Sequence, residues 1–239
     1  MSSTPLFSDR AEAGERLAQS LLEQINQLKD TGFSASPIVY ALPRGGIPIA
    51  VPVARALNCP LDIVVAKKIT TPKNPELAIG AVTAEGHVLW MRYPRLGEKL
   101  SRVRSIALRQ AHENAKAQLE RFSRGRPHVN PQGALALVID DGIATGMTIA
   151  AATQALKAKE PAQVWICTPV APAGLMKWLS QWGDRIVILE TPDPFLSVSR
   201  FYTQFPQVPT EEALICLQEH NQRFSEEESR SSGVTGVQE

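Results

Sequence analysis

Residues 134–152, ALALVIDDGIATGMTIAAA, decide the reading of this chain. Ala134 to Ile139 is an apolar run bounded by Gly133 and two aspartates, the pattern of a short strand buried on both faces. Gly142 and Gly146 permit a compact loop that turns backbone N–H groups inward, and Thr145 and Thr148 add hydroxyl donors. A helix expected from about Thr148 to Lys159 brings positive potential at its N-terminus. The stretch describes a phosphate cradle at the carboxyl end of a strand, where open α/β sheets bind ligands. Asp140 and Asp141 would repel phosphate at the same point, so they are expected to accept hydrogen bonds from sugar hydroxyls beside it. A phosphate next to a diol means a ribose phosphate.

Working outward, strands are expected at Ile38–Leu42, Leu61–Ile69, Val164–Val170 and Arg185–Glu190, with a hairpin across 77–90 turning at Glu85-Gly86. The loop TPKNP should follow the second strand at Thr71–Pro75. Helices are expected from a Ser8 or Asp9 cap to about Lys29, over Ile47–Leu57, Gly97–Phe122, Ala173–Gln181 and Glu211–Arg223. Pro52 should cost the second of these a hydrogen bond or kink it. Strands alternating with helices give an α/β fold, a mostly parallel sheet with helices on both faces. One domain is expected over 1–224, and the polar, aperiodic tail 225–239 is expected to be disordered.

Composition narrows the function. The 239 residues carry 25 Lys and Arg against 24 Asp and Glu, a net charge of +1, so there is no global field to gather nucleic acid or anionic lipid. Any anion site must be local. Cys59, Cys167 and Cys216 lie far apart without metal-binding spacing, which fits reduced intracellular thiols. Asp9, Arg10, Glu12, Glu15 and Arg16 stand where a signal peptide needs an apolar run, and no stretch approaches ~18 uninterrupted apolar residues. A cytoplasmic protein with neither nucleic-acid nor membrane partner is the expectation.

The string LVIDDGIATGMT resembles the signature of the type I phosphoribosyltransferases, an apolar strand, two acids and a loop ending T-G-x-T. YALPRGGIPIAVPVARAL, NPELAIGAV and TPDPF resemble an uncharacterised bacterial branch of that family, over most of residues 8–220. The resemblance implies a phosphoribosyltransferase-like fold with an added long helix and a small hood. It implies a magnesium-dependent enzyme of nucleotide metabolism, in which a small-molecule acceptor, usually a nitrogen nucleophile, displaces pyrophosphate from phosphoribosyl pyrophosphate (PRPP). The alternative is a non-catalytic PRPP-binding regulator. Family habit admits a homodimer.

By the same resemblance, Asp140 and Asp141 take the ribose hydroxyls, with Mg2+ close by on substrate oxygens, and Gly142, Ile143, Ala144, Thr145, Gly146, Met147 and Thr148 take the 5-phosphate. Arg44, Gly45 and Gly46 stand at the pyrophosphate loop, where glycines let backbone approach an anion and arginine can pair with it. Lys67 and Lys68 follow at the leaving pyrophosphate, although strand alternation points only one inward. Arg121, Arg124 and Arg126 are further cations that could close over it. The acceptor hood falls on 190–196, with Asp193 and a stacking Phe195, and Glu76 is a spare acid. Ala144 replaces the aspartate by which 6-oxopurine enzymes of the family contact the base, which weakens a hypoxanthine or guanine acceptor.

Overall fold

A computed structural model describes residues 5–71, 74–91, 101–127 and 129–233, and the side chains within them except at 74–77, 101, 102 and 231–233. Its centre is a five-stranded sheet built from β1 (Pro37–Ala41), β2 (Leu61–Ile63), β6 (Leu135–Ile139), β7 (Gln163–Val170) and β8 (Arg185–Glu190). The order is β2-β1-β6-β7-β8 and every pairing is parallel.

Both faces are covered, and residue alternation assigns each face its helices. Val39, Leu137, Ile139 and Trp165 join the core with Leu17 and Leu21 of α1 (Arg10–Asp30), Val53 of α2 (Gly46–Ala56) and Leu217 of α6 (Thr210–Gly233). Tyr40, Ala136, Val138 and Ile166 pack the other way, onto Ile149, Ala152 and Leu156 of α4 (Met147–Lys157) and Leu179 of α5 (Met176–Leu179). Asp9 caps α1 by accepting from the Glu12 N–H at 3.0 Å, a contact worth about 1 kcal/mol. Pro52 stands inside α2, which stays continuous from Gly46 to Ala56.

Several expectations need correction. Leu61–Ile69 is two strands: β2 ends at Ile63, and β3 (Ala66–Thr71) leaves for a second sheet. That sheet, ordered β3-β4-β5, is antiparallel and adds β4 (Asn74–Thr83) and β5 (Val88–Trp90), with the expected turn at Glu85-Gly86. Thr71–Pro75 is therefore mostly strand, since Thr71 ends β3 and Asn74 begins β4. The expected helix at 173–181 is a 3-10 turn, Ala173–Leu175, followed by the four residues of α5. The last helix passes Arg223 and runs to Gly233, so 225–233 is helical rather than disordered; 234–239 lie outside the described residues.

The long charged helix is present as α3 (Ser101–Arg121), and residues 97–100 lie outside the described residues. It packs on the second sheet through Ala107 and Ala111, against Ile69, Ile79 and Val82. The opposite face of that sheet rests on α4, where Ala81 meets Met147 and Ala151. The second sheet is thus clamped between α3 and α4. No helix among the described residues is long and apolar enough to cross a membrane.

Arg126 is a structural residue. It grips the buried Asp62 of β2 with both Nε and a terminal nitrogen, at 2.6 and 2.8 Å. Removing the cation strands a desolvated carboxylate, which in buried pairs costs ~3–5 kcal/mol, reduced here because the arginine side chain is 29% exposed. Arg126→Ala should lower unfolding free energy by about 2–3 kcal/mol in urea titrations, while the exposed Arg124→Ala changes it by less than about 0.5 kcal/mol. Equal effects at the two positions would contradict this assignment.

Candidate active site

β1 and β6 are neighbours, but the chain leaves β1 toward β2 on one side and β6 toward β7 on the other. Their carboxyl-end loops diverge at this switch point and leave a crevice. The β1 loop carries Pro43-Arg44-Gly45-Gly46, with a cis peptide bond between Pro43 and Arg44. The β6 loop carries Asp140 to Gly146.

The two loops touch. A Cβ added at Gly45 would overlap the Asp141 carboxylate, and one added at Gly46 would stand 2.7 Å from the Ile139 carbonyl oxygen. Both glycines are required by close approach. Gly146 is required by conformation as well, since its φ of 77° starts α4 from the left-handed region with no side-chain cap, and a Cβ there would stand 2.5 Å from the Trp178 ring. Uncapped, the first turn of α4 presents free donors toward the crevice mouth. Ile143 and Met147 turn their side chains into the core, whereas Ala144 and Thr145 are exposed and Thr148 is half-buried.

Asp141 is held from two directions. Arg10 Nε donates to its Oδ2 at 2.9 Å, and the Tyr202 hydroxyl donates to its backbone carbonyl at 2.6 Å. Arg10 also donates to the Pro206 carbonyl at 2.8 Å and lies 3.7 Å from the centre of the Phe205 ring. Asp140 accepts from the Asp141 backbone N–H at 2.9 Å. Burial raises both carboxyls above the usual range. At Asp140 the neighbouring Asp141 charge adds to that rise, while at Asp141 the Arg10 guanidinium opposes it.

A cavity of about 750 Å³ opens in front of Asp141. Among the described residues its walls carry four cations, Arg10, Arg44, Lys67 and Arg121, against the single carboxylate of Asp141. Burial and the nearby Arg44 hold the Lys67 ammonium below its ordinary pKa, as expected where positive charges converge. Along the α3 wall stand Asn114 and Gln118, one turn apart. Gln118 Nε2 donates to the Pro43 carbonyl at 3.4 Å, and its Oε1 is buried without a partner. A smaller cleft of about 130 Å³ lies beside it, lined by Lys68, Asp140 and the loop from Gly142 to Gly146 with Thr148.

The crevice thus gathers Arg44, Gly45, Lys67, Lys68 and the β6 loop, as the sequence suggests, and Arg121 joins them. It does not gather the expected hood residues. Phe195 packs against Phe201 with ring centres 5.0 Å apart, and Asp193 is exposed and lines neither cleft. Glu190 pairs with Arg16 at 3.0 Å. The walls facing α3 come from 205–210 instead. This segment is pinned by the Phe7–Tyr202 bridge and by Leu6 and Phe7 N–H groups on the Phe201 carbonyl. Arg10, Tyr202, Phe205 and Gln118 were not legible as site residues, because their partners lie far away in the chain. Glu76 has its side chain outside those described.

Comparison with known proteins agrees with this geometry. The phosphoribosyl transferase domain family matches residues 9–182. Two Mycobacterium tuberculosis proteins, from strains CDC 1551 and H37Rv and named provisionally as phosphoribosyl transferases, are each 34% identical over 222 residues. The match takes in 92% of this chain and 48% of each relative, so the chain spans about half the length of the curated relatives it matches. The crystal structure of the Thermus thermophilus protein TT1426 superposes with a TM-score of 0.72 at 32% identity, over 89% of this chain and 98% of that one. With the expected α/β architecture in place and the family match covering most of its length, the chain belongs to the phosphoribosyl transferase family.

Proposed function

We propose that this protein is a phosphoribosyltransferase that binds PRPP across the β1–β6 crevice and transfers its phosphoribosyl group to a nitrogen nucleophile. The observation that carries this reading is the direct contact between the Arg44–Gly46 loop and Asp141, at the mouth of a cavity where, among the described residues, four cations meet one carboxylate. A diphosphate is the ligand such a field favours. In the displacement, the C1–oxygen bond to pyrophosphate breaks, a C1–nitrogen bond forms, and the nucleophile sheds its proton. Arg44 and Lys67 offset charge growing on the departing oxygens, and the acid pair holds the ribose hydroxyls in place. Asn114 and Gln118 on the α3 wall give the incoming molecule a polar side to bind against.

Magnesium fits as an ion carried mainly by substrate oxygens and waters. Asp141 is engaged by Arg10, and among the described residues no group of three or more His, Cys, Asp or Glu converges. Asp140 would reach the ion or its waters with hard oxygen donors of the kind magnesium takes. When bound, the ion would add positive charge on the diphosphate.

Pyrophosphate release from PRPP and Mg2+, tested against a broad panel of nitrogen acceptors, should exceed that of the Asp141→Asn variant by at least about 100-fold for the true acceptor. Release no greater than in that variant across the panel would refute the enzyme reading, and tight PRPP binding without release would favour a PRPP-sensing regulator.

Arg10 should set the pH dependence. A carboxyl whose folded pKa is raised accepts hydroxyl hydrogen bonds fully only above that pKa, and loses this as pH falls through it. Without the guanidinium, burial loses its strongest opponent at Asp141, so the pKa of that carboxyl rises further. For Arg10→Ala, the acid limb of PRPP affinity followed by calorimetry should move to higher pH, and Arg10→Lys should bring it back part of the way. An acid limb at the same pH in all three proteins would remove Arg10 from this role.

A further inference from the structure

We infer that the consecutive lysines of β3 serve opposite ends of one substrate, Lys67 the diphosphate and Lys68 the 5-phosphate. The inference rests on the phosphoribosyl reading above and assigns each end of that ligand a cation.

Strand geometry separates the two side chains. Lys67 pairs with Val82 across the antiparallel β3–β4 ladder, and Lys68 with Ala81. Residues opposite each other in such a ladder share a face. Val82 packs toward α3 with Ala107 and Ala111, whereas Ala81 packs toward α4 with Met147 and Ala151. Lys67 therefore lies on the α3 face and Lys68 on the α4 face, where the β6 loop enters its helix.

The cavities follow the same division. Lys67 lines the 750 Å³ cavity together with Arg44, Arg121 and Asp141. Lys68 lines the 130 Å³ cleft together with Asp140, Thr145 and Thr148. The two adjacent acids are split like the two adjacent lysines, Asp141 to the large cavity and Asp140 to the small cleft. A sugar lying over the acid pair would point its diphosphate into the first and its single phosphate into the second. The charges match these sizes, since the large cavity concentrates cations for a polyanion, while the small cleft offers one lysine beside loop N–H and hydroxyl donors. Because β3 is an edge strand, Lys68 also borders a groove of about 330 Å³ on the α3 side, with Thr70, Ile106 and Gln110. Its ammonium is exposed and, among the described residues, has no acidic partner in either place.

The test uses two separate probes, ribose 5-phosphate and inorganic pyrophosphate, titrated calorimetrically into the full chain with Mg2+ present. Lys68→Ala should weaken ribose 5-phosphate about tenfold or more and leave pyrophosphate within about twofold, and Lys67→Ala should do the reverse. Lys68→Arg should recover ribose 5-phosphate binding, which a merely structural defect would not. If the wild type binds both probes but each alanine variant weakens both equally, or Lys68→Ala weakens only pyrophosphate, the division of labour is wrong and the phosphoribosyl reading stands. If the wild type binds neither probe, the phosphoribosyl reading falls and this inference with it.

Discussion

The reversal of strand order between β1 and β6 is the constraint on which the site depends. Two parallel neighbours whose chains depart in opposite directions cannot fill the space beyond their carboxyl ends with a shared connection. The β1 loop and the β6 loop meet there with backbone against carboxylate, and only glycine fits at positions 45 and 46. Side chains that would elsewhere be solvated are drawn into this opening. Asp141, raised by burial, is kept usable by an arginine from the first turn of α1 and a tyrosine from beyond β8. The start and the end of the fold therefore converge on one residue, the arginine on its carboxylate and the tyrosine on its backbone carbonyl.

The second sheet completes the site from above. Its clamping between α3 and α4 sets the two faces of β3 apart, so that Lys67 lines the large cavity and Lys68 the small cleft. The long helix α3 supports this sheet through small apolar residues and also contributes Asn114, Gln118 and Arg121 to the cavity wall. One helix thus ties the stability of the second sheet to the shape of the cavity.

The central sheet and its ligand end were readable because the signals are local: an apolar run, two acids, glycines at fixed offsets and a helix start. The structure also departs from that reading in places. Leu61–Ile69 reads as one strand because its apolar and basic residues are continuous, and only the tertiary competition between β1 and β4 for pairing divides it. Family resemblance puts the hood at Glu190–Leu196, yet Phe195 has Phe201 to pack against and 205–210 takes the wall. Nothing near Arg10 announces that its partner lies 131 residues away. The polarity of the tail reads as disorder, but 225–233 continues the α6 helix already packed through Leu217.

The contact between Gly45 and Asp141 permits the most direct measurement. A methyl group at position 45 displaces the Asp141 carboxylate from its place against the β1 loop while leaving the apolar core untouched. Gly45→Ala should melt within a few degrees of the wild type and lose PRPP affinity by about 100-fold or more in calorimetric titration with Mg2+. Wild-type affinity for PRPP in a folded Gly45→Ala protein would contradict the account.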